Sequence, residues 1–291
     1  MHFRQAILPG RSRIGLAGGG TDPEVRGGAP AGRNAGRALA VCQAGVSMPI
    51  RRGRDREDMG GVVLAAAFAA IWIYAVYRED VRNPEPVWLV ALATLGGALA
   101  VPVAAWIELR VVPDLSVLEG PLAGRAAVAL LVAGPVEEAL KFLAVGLVVW
   151  RQHHFDEPLD GLVYAAAAAG GFALVENLHF LQDDPASILA RAPGATGAHI
   201  VFAALWGGAL GHARQLDRPV LRAGIVAAGL ALSFLAHGLF DLTTWSVGRE
   251  LTLAQGRVIG GSLVAVCAVF MIARIRSLQR PARPLFGGAS R

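Results

Sequence analysis

Two adjacent carboxylates, Glu137 and Glu138, stand four and three residues before Lys141 in the run Gly134-Pro-Val-Glu-Glu-Ala-Leu-Lys-Phe142, within a stretch that is otherwise apolar. On a helix this spacing puts Glu137 and Lys141 on one face, with Glu138 adjacent to it. A third carboxylate, Glu176, stands beside the carboxamide of Asn177 in Phe172-Ala-Leu-Val-Glu-Asn177. His199 opens a later apolar segment, and His237 and Asp241 lie four apart in the one after it. A charge at the centre of a membrane helix costs about 2.5 to 3.5 kcal/mol on insertion scales, so it persists where it is paired, faces a wet cavity or does chemistry. The chemistry open to this set is activation of water. A carboxylate in a low-dielectric pocket is a stronger base than one in water, and a lysine beside it keeps it charged, so it takes a proton from water near neutral pH. His199 and His237 would shuttle that proton or donate to a tetrahedral oxyanion, and Asn177 offers a further neutral donor.

The elements that must position these groups are membrane helices. Of the 291 residues 54% are hydrophobic and only 17% charged, with a mean hydropathy of +0.49, which is more apolar surface than one water-soluble core hides. Stretches near the length of about 20 residues that a spanning helix needs fall at 61 to 77, 86 to 108, 135 to 151, 159 to 182, 196 to 213, 219 to 243 and 257 to 275. A shorter run, 124 to 134, is either an additional helix or a re-entrant piece that breaks at Gly134-Pro135. The fold class is therefore all-α, a polytopic transmembrane bundle of seven or eight helices, in the cell membrane and with the lipid bilayer as its solvent; a bacterial plasma membrane is the expected location. Arg214, Arg218 and Arg222 in one loop, and Arg274, Arg276, Arg280 and Arg283 near the C-terminus, put both of those regions in the cytoplasm. Seven spans would leave the Arg-rich N-terminus outside, whereas eight bring both ends inside, so charge favours eight.

Depth follows from counting. At about 1.5 Å per residue, Glu137 lies about 21 Å from Arg151, Glu176 about 26 Å from Leu159 and His237 about 27 Å from Pro219. His199 lies just inside the far end of its helix. Four helices thus deliver polar groups to one layer, on the side away from the 214 to 222 loop, and His212 falls at the opposite end. Small residues in the 165 to 171 run and at Gly207 and Gly211 would let the backbones approach closely enough to converge that layer.

The rest of the chain carries less chemistry. Residues 1 to 58 hold ten Arg against five acids, are rich in Gly and lack periodicity, so they read as disordered, or as preceding a true start at Met48 or Met59. The transmembrane domain then covers 59 to 276, followed by a basic tail, 277 to 291. No nucleic acid is expected as a partner, because the excess positive charge sits in the N-terminal tail, where only Phe3 could stack on a base. Two cysteines, Cys42 and Cys267, exclude a disulfide scaffold. Of the 27 basic residues, Lys141 is the single lysine, which counts against a purely structural ion pair, since Arg makes the better fixed fork.

Other readings of the same residues remain open. Glu137, Glu138 and Lys141 would also serve as an ion-pair network pinning helices, and His237 with Asp241 as a hydrogen-bonded core pair. Trp150, Trp206 and Trp245 read as interfacial anchors, and His153 and His154 as solvated. A metal-dependent membrane hydrolase would use the same Glu, His and Asp, although HExxH is missing and no two His have helical ligand spacing. A proton-coupled transporter would use the same buried cluster, but no inverted repeat is visible. A non-catalytic membrane protein that keeps the fold is a further class.

In order along the chain, Val-Glu137-Glu138-Ala-Leu-Lys141, Phe155-Asp156-Glu-Pro-Leu-Asp160-Gly-Leu-Val-Tyr164, Gly171-Phe172-Ala-Leu-Val-Glu176-Asn177, His199 and His237 resemble the PrsW-type intramembrane glutamic endopeptidases, distant relatives of the CAAX protease and bacteriocin-processing membrane proteins. The resemblance covers about Pro135 to Asp241. It implies a peptidase in which Glu137 and Glu138 form the catalytic pair, Glu176, His199 and His237 complete the site, and Lys141, Phe172, Asn177 and Asp241 support it. It implies as substrate a membrane-anchored protein, such as an anti-sigma factor, cut near its membrane segment; no metal ion or other cofactor is expected. His179 stands where the family tends to have an apolar residue, and the long Arg-rich N-terminus has no counterpart there.

Overall fold

The computed structural model describes residues 55 to 183 and 188 to 280. The expectations for residues 1 to 54, including a late start at Met48, and for the tail beyond residue 280 lie outside the described residues. The described chain is helical: α1 (Asp55–Tyr77), α2 (Val87–Val111), a 3-10 turn (Leu115–Leu118), α3 (Leu122–Val128), a π turn (Ala129–Ala133), α4 (Gly134–Val149), α5 (Asp160–Asp183), α6 (Ile188–Arg214), α7 (Pro219–Ser246) and α8 (Leu253–Gln279). Local sequence sets several boundaries. Asp114 accepts the Ser116 N–H at 3.0 Å to start the 3-10 turn. Thr252 and Gln255 form a reciprocal capping box at the start of α8.

The 124 to 134 run is not a separate span. α3, the π turn and α4 form one continuous rod, so the bundle has seven rods rather than the eight that charge favoured. The proline ring of Pro135 would meet the carbonyl of Leu131 four residues back in a regular helix. The wider π turn immediately before it absorbs that clash without breaking the rod. Five helices, α1, α2, α5, α7 and α8, are long and apolar enough to cross a membrane by length and composition. The chain is a multi-pass membrane protein, and the other two rods carry Glu137, Glu138, Lys141 and His199.

Seven rods place the loops 78 to 86, 150 to 159 and 215 to 218 and the end of α8 on one face. Hydrogen bonds tie them together there: Arg82 Nη2 to the Gln279 carbonyl at 2.7 Å, Gln279 Nε2 to the Glu79 carbonyl at 2.7 Å, Arg214 Nε to the Phe155 carbonyl at 3.1 Å and Asn83 Nδ2 to Asp156 Oδ1 at 3.3 Å. This is also the face that holds Arg214, Arg218 and Arg222, so the positive-inside rule assigns it to the cytoplasm and the start of α1 to the other side.

α5 runs through the centre, packed on α1, α2 and α6, and its residues from Leu162 to Ala169 are buried throughout. Its small residues serve the close approach that the sequence suggests. A Cβ on Gly171 would strike the Thr94 carbonyl of α2, and one on Gly97 of α2 would strike the Ala168 carbonyl of α5. On the other side, Gly161 of α5 meets Gly207 and Gly211 of α6 backbone to backbone. Gly171→Ala therefore has to push α2 away from α5 one turn before Glu176, and is expected to lower stability by about 1 to 3 kcal/mol. Thermal unfolding in detergent checks this against Gly146→Ala, where the added methyl meets nothing within 4 Å. Equal stability of the two variants would count against backbone contact between α2 and α5.

Candidate active site

Four helices deliver the layer. α4 brings Glu137, Glu138 and Lys141, α5 brings Phe172 and Glu176, α6 brings His199, and α7 brings His237 and Asp241. Each comes from the half of its helix away from the Arg-rich face, as counting from the turns predicts. His212, by contrast, lies in the last turn of α6, near the Arg-rich face.

Lys141 is fully buried at the hub. Its ammonium lies 2.8 Å from Glu138 Oε1, 3.3 Å from Glu137 Oε2 and 3.0 Å from His199 Nδ1, and 3.9 Å from the centre of the Phe172 ring. With the lysine donating to Nδ1, the network assigns the His199 proton to Nε2, which gives it to Glu176 Oε2 at 2.7 Å. Glu176 also faces Arg191 Nη2 at 3.6 Å, whose guanidinium stacks 3.5 Å from the centre of the Phe180 ring.

The two adjacent glutamates have different surroundings. Glu138 is fully buried and saturated: Oε1 takes Lys141 and His237 Nδ1 at 2.9 Å, and Oε2 takes Trp206 Nε1 at 2.9 Å and the Ser233 hydroxyl at 2.9 Å. The Ser233 proton is shared with the Phe202 carbonyl, also 2.9 Å away. Glu137 has two looser neighbours, Lys141 and His237 Nε2 at 3.5 Å. That same His237 nitrogen lies 3.8 Å from Asp241 Oδ2. The His199 and His237 rings meet edge to face with centroids 5.0 Å apart. The layer opens toward the side where Asp241 and Arg191 are partly exposed, at 19% and 26%.

Asn177 is placed otherwise. Its amide donates to Thr196 Oγ1 at 3.0 Å, one turn before His199, so that donor is engaged away from the glutamates. Trp206 and Trp245 are corrected from interfacial anchors to buried residues. Trp206 packs edge-on against Phe142 and donates to Glu138, and Trp245 packs with Leu118, Val128 and Ala133. An aromatic residue near a segment end carries the same sequence signal in either role, and only the bundle reveals which it takes. Trp150 remains at the surface.

Sequence reasoning also missed Glu108. It ends a predicted span beside Arg110 and so reads as a flanking charge, yet it is buried with Oε1 unpartnered, close enough to Glu137, Asp241 and Glu176 for their charges to act on it. Ser233 was missed because a lone serine in an apolar helix carries no signal.

Glu137, His199 and His237 each offer a ligand atom within 4.8 Å of the others, a set that could hold a metal ion. Each histidine has a carboxylate on one ring nitrogen, Glu176 on His199 and Glu138 on His237, which is how metal-bound imidazoles are oriented. Two His and one Glu is also a donor set that zinc takes in hydrolases. The three residues fit a metal by donor type and by outer support, but the His199 nitrogen left for an ion, Nδ1, already takes the Lys141 ammonium at 3.0 Å.

Comparison with known proteins points to one family. The model of a family described as PrsW family intramembrane metalloprotease matches residues 85–275. Among curated proteins, the chain is 32% identical over 166 residues to a protein named Protease PrsW from Geobacillus kaustophilus (strain HTA426), covering 57% of this chain and 71% of that one. It is 28% identical over 199 residues to Protease PrsW of Shouchella clausii (strain KSM-K16), covering 68% and 89%, and 30% identical over 168 residues to Protease PrsW of Bacillus subtilis (strain 168), covering 57% and 73%. No solved structure matches the chain. The family description speaks of a metalloprotease where the resemblance implied a glutamic peptidase.

Proposed function

The chain belongs to the PrsW family of intramembrane proteases, and on that premise we propose that it cleaves a membrane-anchored protein at the buried polar layer, with Glu137 as the carboxylate that acts on water. The observation that carries the choice of Glu137 is the contrast within the pair. Glu138 has four donors on its two oxygens and nothing left to offer a water, whereas Glu137 keeps only two long contacts.

In this reading Glu137 takes a proton from water as the water oxygen bonds to the scissile carbonyl carbon. His237 Nε2, between Glu137 and Asp241, passes that proton to the departing amine as the C–N bond breaks. Lys141 does not reach substrate, being fully buried, and instead holds Glu137, Glu138 and His199 in register. Glu138 orients His237, and Glu176 orients His199. The substrate class follows the family resemblance: a membrane-anchored regulator of the anti-sigma-factor kind, cut near its membrane segment on the side opposite the Arg-rich loops.

The convergence of Glu137, His199 and His237 favours a second reading, in which these three hold a metal ion, in keeping with the word metalloprotease in the family description. When bound, such a metal would polarise the scissile carbonyl and acidify water. The experiment is cleavage of a membrane-anchored reporter in reconstituted vesicles, with and without chelator. Cleavage that survives the chelator supports the glutamate mechanism. Loss that zinc reverses supports the metal reading, and no cleavage of any such reporter by wild type counts against a peptidase.

A further inference from the structure

At the end of α5 remote from the active site, three carboxylates from separate parts of the chain meet: Asp80 and Glu85 of the loop between α1 and α2, and Asp160, the first residue of α5. All three are buried, at 3%, 2% and 0% exposure, and one ligand oxygen of each lies within 4.8 Å of the other two. Each group is fixed on one side by a donor. Asp160 Oδ2 accepts the backbone N–H of Asp156 at 2.9 Å and of Glu157 at 2.6 Å, Glu85 Oε2 accepts the Tyr164 hydroxyl, and the Asn83 backbone N–H leans on Asp80. What remains is one fully buried oxygen on each that accepts no N–H or hydroxyl, Oδ2 of Asp80, Oε1 of Glu85 and Oδ1 of Asp160, with the Glu85 and Asp160 carboxyls near enough to share a proton. Among the described residues no Lys, Arg or His forms an ion pair with any of the three.

Three buried carboxyls gathered this closely repel one another when charged, and their unpartnered oxygens are costly to bury. Burial, with the neighbouring acids adding to it, pushes Asp80 up to about 6 and Glu85 up to about 7. A cation bound to the three leftover oxygens removes both penalties. Hard divalent cations bind carboxylate oxygens at about 2.0 to 2.6 Å, so two such oxygens on one ion lie at most about 5 Å apart. The three carboxyls each offer an oxygen within 4.8 Å of the others, inside that limit, and the absence of His or Cys among the donors selects against softer metals.

We propose that Asp80, Glu85 and Asp160 bind a hard divalent cation, Mg²⁺ or Ca²⁺, which ties the α1–α2 loop to the start of α5. The site is separate from the catalytic one: sixteen residues along α5, at about 1.5 Å each, put Asp160 about 24 Å from Glu176. It does not depend on whether the active site works with a metal.

The test uses the full chain in detergent, stripped with chelator, and Tb³⁺ as the probe, since Tyr164 touches Glu85 and would sensitise its emission. Saturable Tb³⁺ emission is expected at neutral pH, displaced by excess Mg²⁺ or Ca²⁺, and equal in wild type and in Glu137→Gln. Asp160→Asn and, as a second variant, Glu85→Gln should weaken it by about tenfold or more, because affinity follows the count of charged ligands. The thermal midpoint of the stripped wild type should rise with Mg²⁺ or Ca²⁺, and that of the variants should not. The relative strength of the two displacements tells which ion the site prefers. A wild type that gives no saturable response to any of the three cations would overturn the site, whatever the variants do. So would Tb³⁺ emission as strong in both variants as in wild type, or a stripped wild type whose midpoint no cation raises, which would mean that the three carboxyls share protons instead.

Discussion

Glu137→Gln is expected to lower reporter cleavage by about 10²- to 10⁴-fold while leaving the protein folded. The amide is the same size as the carboxylate and its oxygen still accepts from Lys141, but it takes no proton from water. The neighbours of Glu137 are few and long, so little packing is disturbed. Glu138→Gln separates the two glutamates by a different readout. Its carboxylate receives Lys141, His237, Trp206 and Ser233, and an amide nitrogen turned toward any of them meets a donor with a donor. That variant should lose about 1 to 3 kcal/mol of stability as well as activity. The assignment fails if Glu137→Gln keeps full activity. It also fails if Glu138→Gln loses as much rate with no loss of stability.

Lys141→Met should have the largest effect on folding. The lysine is the hub between two glutamates and His199 and is wholly removed from solvent. Taking away one partner of a buried ion pair strands the other charge and costs about 3 to 5 kcal/mol. Denaturant titration in detergent measures this, and a loss below about 1 kcal/mol would mean that water or a proton already compensates Glu138. Lys141→Met with Glu138→Leu should recover only part of the loss, because Trp206, Ser233 and His237 would then face an apolar side chain.

Much of this arrangement is written in the sequence, for a physical reason. Lipid forbids unpaired charge, so the few ionisable residues inside apolar segments announce themselves, and the constant rise of a helix converts their positions into depth. That is why Glu137, Glu176, His199 and His237 could be placed in one layer from the chain alone. Depth carries no information about rotation, however. Nothing in the spacing tells which glutamate faces Trp206 and Ser233 and which faces the open side. Charge favoured eight rods over seven because Gly134-Pro135 reads as a break, and a π turn that absorbs the proline has no sequence signature of its own. The meeting of Asp80 and Glu85 with Asp160 is not legible in the chain, because carboxylates in or beside a loop are normally solvated. Their burial arises only when the 78 to 86 loop folds under the start of α5.

That π turn also acts as a phase setter. It is one residue of slack in a rod that otherwise turns about 100° per residue. Upstream of it, Arg125 is clamped to the Gly120 carbonyl at 2.6 Å and to Glu250, which fixes the rotation of α3. Downstream, everything on α4 takes its heading from that one extra residue. Deleting a single residue from 129 to 133 would restore an ordinary helix while leaving Glu137, Glu138 and Lys141 in the same order. It would also leave their heading almost unchanged, because five residues of π turn and four of regular helix each make about one full turn; the same five residues wound as regular helix would swing the three about a quarter turn away from His237 and His199. The aim of this site is thus stored in a length, and a chain with every polar residue intact could still be misdirected by one alanine too many in a rod with no wider turn to take it up.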